Sequence, residues 1–317
     1  MRVVDLFAGA GGASWGATLA GLNVLAAVNH WPLAIEAHAR ALPWAAHLCE
    51  DLERLSPMAL PPHDVLWGSP ECTGHTWARG KERNHHDASR ATAFCPVRVA
   101  DLHRPPAVII ENVVELEEWE LLPGWLMLWQ CLGYREQRLR LVASDFGVPQ
   151  ERERVYFVFT RKDIPAPNLS DPPKLPTVDV RSVVNLDTRR GRWSRWRDEY
   201  VPNSVARIEA AVKHQGGPCL VPYYKSASSH RGWSLDRPCG TLTRKDRFVV
   251  VVGEWSRVLT LDELRAIAGF PHDYPLAGNR SDGVEMLGAS VVPAVAKWLC
   301  ERVENSVRAA RAKEPTS

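Results

Sequence analysis

The chain has no unbroken apolar run near the ~18 residues a membrane-crossing helix needs, so no membrane span is expected. Its N-terminus lacks a charged-then-apolar leader and goes straight into the strand-like Val3-Val4-Asp5-Leu6-Phe7. None of the seven cysteines (49, 72, 95, 131, 219, 239, 300) forms a CxxC pair, which argues against a zinc ribbon and for reduced thiols in a cytoplasmic protein. No metal is expected: His85-His86 are adjacent histidines without further ligand spacing. No internal repeat is present. Charge of one sign is also lacking, with 39 basic against 37 acidic residues, so any affinity for a polyanion has to be local.

Composition is that of an ordinary globular protein, 45% hydrophobic and 24% charged. At 317 residues the chain can hold one large domain and a small one. The opening strand meets the turn Gly9-Ala10-Gly11-Gly12 and then a helical stretch, Ala13 to Ala20. This strand–glycine turn–helix plan is that of a nucleotide-binding unit, although the dinucleotide GxGxxG spacing is missing. The glycines would let backbone approach a ligand, and the helix N-terminus offers free N–H groups.

A second strand, Val24 to Val28, ends at Asn29-His30-Trp31 before a helix from Pro32 to about Ala41. A ribose-gripping acid belongs at such a strand end; Asn29 and His30 stand there instead. Trp31 either stacks on an adenine or joins the core. Asp51, next to Leu52, either meets an adenine amino group or caps a helix. The strand Val65-Leu66-Trp67 breaks at Gly68-Ser69-Pro70, which puts Cys72 on a loop at a strand end, where open α/β sheets bind ligands. The polar stretch 73–91 carries Arg79, Lys81, Arg83 and Arg90 and suits closure over a polyanion. The strand Ala107 to Ile110 runs into Glu111-Asn112. A helix is expected over Glu118–Leu132 and strands over 138–143 and 155–160. Arg152 and Arg154 alternate so as to share a strand face. From Pro165 to about Leu235 prolines multiply and periodicity fades. That segment holds Arg189, Arg190, Arg192, Arg195 and Arg197 among Trp193 and Trp196, read either as a phosphate-binding patch or as a solvated surface.

In order, the motifs resemble those of the cytosine-C5 DNA methyltransferase family. Asp5 to Gly12 is similar to its S-adenosylmethionine loop. Glu111-Asn112-Val113 resembles its Glu-Asn-Val, Gln150 to Arg154 its Gln-x-Arg-x-Arg, and Gly288-Ala289-Ser290-Val291 its closing Gly-Asn-Ser-Val. Arg257-Val258-Leu259-Thr260, with Glu263, Arg265 and Gly269-Phe270-Pro271, matches a further signature. The resemblance implies an α/β fold: a Rossmann-like methyltransferase domain with a mixed, mostly parallel sheet, plus a small target-recognition domain. The expected limits are 1–164 catalytic, 165–250 target-recognizing and 251–317 returning to the catalytic domain. It implies S-adenosyl-L-methionine as cofactor and double-stranded DNA as partner, with a monomer as the default state. Carried over residue by residue, it assigns chemistry to Cys72, Glu111, Arg152 and Arg154. The cofactor would be held by Phe7, Gly9, Gly11, Gly12, His30, Trp31, Asp51, Leu52, Ser290 and Val291, and the substrate by Gln150, Arg79 and Thr243. Three positions depart from the pattern. Glu71 fills the usual cysteine slot after Pro70, so Cys72 comes one residue late; His30 replaces the ribose acid; Ala289 replaces the Asn. These departures favour the alternatives of a DNA-binding relative with altered or lost chemistry or with a modified donor; a substrate of RNA is a further one.

Overall fold

The computed structural model describes residues 1–71, 90–223, 231–245 and 248–313. Five parallel strands, β1 (Arg2–Leu6), β2 (Asn23–Asn29), β3 (Ala46–Cys49), β4 (Val65–Gly68) and β5 (Ala107–Asn112), form most of a seven-stranded sheet. After β6 (Tyr134–Val142) and the two-residue β7 (Gln150–Glu151), β8 (Glu153–Arg161) inserts antiparallel between β5 and β6, giving the order β3-β2-β1-β4-β5-β8-β6. The sheet is therefore mixed and mostly parallel, as the resemblance implies.

Alternation along the central strands builds two cores. Val3, Val65, Trp67 and Ile109 face one side, and Val4, Leu66, Val108 and Ile110 face the other. The first side is covered by α1 (Gly12–Leu19) and the long C-terminal helix α9 (Pro293–Arg311). These helices cross closely because Gly16 has no side chain: a Cβ there would lie 2.5 Å from that of Ala296. The other side is covered by α3 (Cys95–His103) and α4 (Leu122–Cys131), while α2 (Pro32–Ala41) follows β2. Helix α4 starts later than the expected Glu118, because Val114–Glu118 forms a separate 3-10 turn and Pro123 suits the first helical turn.

The segment in which periodicity fades contributes β9 (Ser194–Arg195), β10 (Cys219–Pro222) and β11 (Trp233–Ser234) to a second, antiparallel sheet. The following chain completes it with β13 (Phe248–Val252) and β14 (Trp255–Val258), in the order β11-β10-β13-β14-β9. The sheet runs past the boundary placed at residue 250. Short helix α5 (Trp196–Glu199) and α6 (Pro202–Gln215) accompany it, and β12 (Cys239–Gly240) pairs with β7 of the catalytic part. Helices α7 (Leu261–Ala268) and α8 (Arg280–Ala289) lead back to α9.

Together α8 and α9, Arg280–Arg311, are long and apolar enough for a membrane span by composition, which a search for unbroken apolar runs misses. Their apolar window is 78% buried inside the protein, which makes it core.

Candidate active site

A cavity of about 530 Å³ opens at the C-terminal ends of β1, β2, β4 and β5, the edge where parallel sheets bind ligands. Its size lies within the usual range for ligand pockets, roughly 300–1,000 Å³. Around it stand Phe7, Gly9, His30, Trp31, Ser290 and Val291 from the expected cofactor set, and Glu111, Arg152 and Arg154 from the expected catalytic set. Phe7 has φ of +59°, and Gly9 one of +53°; the turn after β1 thus folds tightly under the cavity. A Cβ at Gly9 would meet only Phe7 O, at 3.9 Å, so the backbone is open to a ligand there.

Gly11 and Gly12 do something else. A Cβ on Gly11 would lie 2.6 Å from Tyr274 Oη, and one on Gly12 2.0 Å from the Val291 carbonyl oxygen. Neither residue lines the cavity. Gly12 lets the start of α1 sit against the chain entering α9, and Gly11 lets the turn before it pack on Tyr274 and His38, so that together they position the cavity wall. Tyr274 closes that arrangement by donating from its hydroxyl to Ala10 O at 2.5 Å.

Asp51 and Leu52 stand away from the cavity. Asp51 is exposed, and its carboxylate accepts from the Glu53 N–H at 3.0 Å, a local capping role; Leu52 is buried in the core beside α3. Gln150 is also committed elsewhere. It is 1% exposed, donates to Ile267 O at 3.1 Å and accepts from Leu242 N–H at 2.8 Å. It ties the catalytic sheet to the later part of the chain and leaves no amide group for a substrate. Thr243 lies outside the cavity wall and donates to Lys245 O at 3.0 Å. Cys72 and Arg79 lie outside the described residues.

Three neighbouring strands deliver the polar floor. In the pairing of β4, β5 and β8, Gly68 faces Ile110, and Glu111 faces Tyr156. Glu111 leaves the end of β5, 7% exposed, with Arg154 Nε 3.3 Å from its Oε1. Asn112 donates to Pro70 O at 3.1 Å, and Thr92 Oγ1 accepts from Glu71 N–H at 3.1 Å, so the turn after β4 is pinned from two sides. Glu71 faces the same cavity. Arg152 donates to Leu242 O at 3.2 Å and to Gly288 O at 3.1 Å, holding the wall rather than its floor.

Sequence reasoning passed over several wall residues. Asp5, at the end of β1, is 1% exposed and accepts from Ser14 Oγ at 2.6 Å; its other oxygen has no hydrogen-bond partner among the described residues. Burial pushes this carboxyl up to about 7 against the Ser14 hydrogen bond. Arg244 and Glu285 pair across the rim at 2.6 Å. Asp282, Glu285, Met286 and Ala289 all line the cavity at helical spacing on α8, a signal that was readable once the Gly-Ala-Ser-Val motif was extended backwards. The wall and floor carry five carboxyl groups (Asp5, Glu71, Glu111, Asp282, Glu285) against the guanidiniums of Arg152, Arg154 and Arg244. That excess suits a cationic ligand.

In the arginine–tryptophan segment the arginines are exposed while the tryptophans turn inward. Trp196 is 2% exposed and donates to Gly253 O, and Trp193 lies beneath Arg257 at 4.8 Å. Arg189 and Arg190 pair with Asp187, Arg195 with Glu254 and Arg197 with Glu209. Among the described residues no group of three or more His, Cys, Asp or Glu could hold a metal ion.

The profile of the C-5 cytosine-specific DNA methylases matches residues 1–305. The chain belongs to that family. Among curated members it is 29% identical to the Type II methyltransferase M1.HphI of Haemophilus parahaemolyticus, over 96% of this chain and 86% of that one. It is 24% identical to M.MspI of a Moraxella species, over 84% of this chain but 62% of the relative. Among solved structures, a chain described as a DNA modification methyltransferase encoded within an E. coli prophage superposes with a TM-score of 0.75 at 20% identity, covering 97% of this chain and 99% of that one. The S. pombe Dnmt2 methyltransferase gives 0.67 at 16% identity, covering 96% and 99%. These structures share the Rossmann-like methyltransferase fold.

Proposed function

We propose that this protein transfers a methyl group from S-adenosyl-L-methionine to C5 of a cytosine turned out of double-stranded DNA, through a covalent adduct between a protein thiol and C6. The observation that carries this reading is the single cavity shared by the Glu111–Arg154 pair and the turn Phe7–Gly9. The residues present fit the cofactor. Gly9 leaves room for close approach, Phe7 and Trp31 offer apolar and aromatic surface, and the carboxylate excess suits a sulfonium. His30 offers a ring nitrogen where an acid would grip ribose, and Ala289 offers no side-chain hydrogen bond. Bound there, the cofactor supplies an electrophilic methyl group.

Cytosine C5 is a poor nucleophile until a thiolate adds at C6 and converts C4–C5 into an enamine. Cys72 is the thiol of this reading. Glu111 donates a proton at N3 as C6 is attacked and holds the exocyclic amine. Arg154 keeps Glu111 oriented and reaches the base carbonyl, while Arg152 fixes the wall behind it. The target must leave the stack first, because C6 is covered in the duplex. The catalytic part spans 1–164 and the chain after β14, and the segment from 165 through the second sheet recognizes the target.

Nucleoside mass spectrometry of mixed-sequence DNA, incubated with the protein and S-adenosylmethionine, tests the reading. A gain of 5-methylcytosine is expected. No product across DNA of varied sequence, with the cofactor bound, would instead identify a relative with altered or lost chemistry.

A further inference from the structure

We propose that Glu71 is the base that removes the C5 proton in the last step of the reaction. The inference rests on the cytosine-methylation reading above and assigns a step that reading leaves without an acceptor. Methylated adduct carries both a hydrogen and the new methyl group on C5, and the aromatic ring returns only when that hydrogen leaves as a proton.

The placement of Glu71 is specific. It follows β4 by three residues, beside the end of β5 that supplies Glu111, because Gly68 and Ile110 are partners in the parallel pairing. The peptide that leads into it is held at both of its polar atoms, by Asn112 Nδ2 on Pro70 O at 3.1 Å and by Thr92 Oγ1 on the Glu71 N–H at 3.1 Å. The side chain is half-buried and lines the cavity together with Glu111 and Arg154. The same cavity also holds the guanidiniums of Arg152 and Arg154, which suit an anionic carboxylate on its wall. Such a group on a pinned turn is positioned for proton transfer.

The step balances. A Glu71 carboxylate oxygen takes the C5 proton. The C5–H electron pair becomes the C5=C6 π bond, the C6–S bond breaks, and sulfur leaves as thiolate. The proton given to N3 during attack returns to Glu111, and the proton on Glu71 passes to water.

The test uses the full chain, its E71Q and E71D variants, S-adenosylmethionine and two mixed-sequence duplex DNAs, one with 5-fluorocytosine and one with cytosine tritiated at C5. Fluorine cannot leave C5 as a proton does, so adduct on the first DNA reports attack and methyl transfer without elimination. E71Q is expected to form this adduct to the wild-type extent. On ordinary DNA it should accumulate a methylated, denaturation-stable complex, and tritium release should fall roughly 10²–10⁴-fold, the usual worth of a positioned base. Release by E71Q should become first order in hydroxide, and E71D should recover most of the rate. Tritium release by E71Q at the wild-type rate overturns the proposal. So does faster attack with unchanged release, which would make Glu71 a modulator of the thiol, and so does loss of the fluorocytosine adduct in both variants, which would make it a builder of the turn. A wild-type protein that forms no fluorocytosine adduct overturns the cytosine-methylation reading itself, independently of any Glu71 variant.

Discussion

Arg154 Nε lies 3.3 Å from Glu111 Oε1, with the two side chains 15% and 9% exposed. A carboxylate this buried needs its partner, and the partner also fixes which way the carboxyl points. Glu111→Gln should therefore leave the fold and cofactor binding intact while turnover falls roughly 10²–10⁴-fold, the range for a lost general acid. Calorimetric titration with S-adenosylmethionine and single-turnover methylation check the two halves. Comparable turnover in the Gln variant would remove Glu111 from the chemistry. Arg154→Ala should cut activity too, because the Glu111 carboxyl loses the partner that orients it.

Asp5 gives a pH-dependent stability of definite sign. An ordinary aspartate titrates near 3.8, whereas burial pushes Asp5 up to about 7 in the folded chain. Between those values the unfolded chain has already released a proton that the folded chain retains. The contribution of this group is thus fully present below pH 4 and is lost as pH rises through 7. Asp5→Asn keeps an acceptor for Ser14 Oγ and cannot ionise. Its melting temperature should exceed that of the wild type at pH 8, by up to about 4 kcal/mol of stability, and the gap should close towards pH 4. Parallel thermal melts at both pH values measure it.

What the chain's sequence discloses tracks how local the determining contacts are. The turn after β1 and the start of α2 at Pro32 are set by residues within a turn of one another, and both were legible. Helix α6 was not, because only Ile208 and Ala211 on its 14 residues are buried and its apolar stripe is faint. The second sheet was legible only in part, for a different reason: the apolar run Phe248 to Val252 reads as a strand by itself, whereas its partner β10 lies about 30 residues away and is only four residues long. The motifs pointed to Glu111 and Arg154, which the fold brings to one cavity, but they could not separate a cavity-facing glycine from packing ones. Gly9 and Gly12 read alike in sequence, and only the Val291 carbonyl beside Gly12 tells them apart.

Gln150 belongs to the joint between the two parts of the chain. Gln150→Ala would strip partners from the Leu242 N–H and the Ile267 carbonyl, each buried group left unmatched costing about 1–3 kcal/mol. Denaturant unfolding should show that loss. DNA binding should weaken with it, because the loop through Thr243 is released, while affinity for S-adenosylmethionine should stay near the wild-type value. A variant with normal stability and a selective loss of DNA contact would return Gln150 to the substrate.

Two glycines in helices make an opposed pair. At Gly12 a Cβ would stand 2.0 Å from the Val291 carbonyl oxygen, a backbone atom that cannot swing aside. Gly12→Ala must push α1 away from the chain entering α9, and with it the wall formed by Ser290 and Val291. The substitution should cost more than about 2 kcal/mol, in the class of overpacking changes, and should weaken cofactor binding through the displaced wall. At Gly124, in the exposed first turns of α4, a Cβ would meet nothing within 4 Å. Gly124→Ala removes only unfolded-chain freedom and should stabilise the protein by roughly 0.5–1 kcal/mol. Chemical denaturation of the two variants side by side separates packing from conformational freedom: a tolerated Gly12→Ala would mean that α1 can slide, and a destabilising Gly124→Ala would mean that the open face of α4 is covered by another part of the protein.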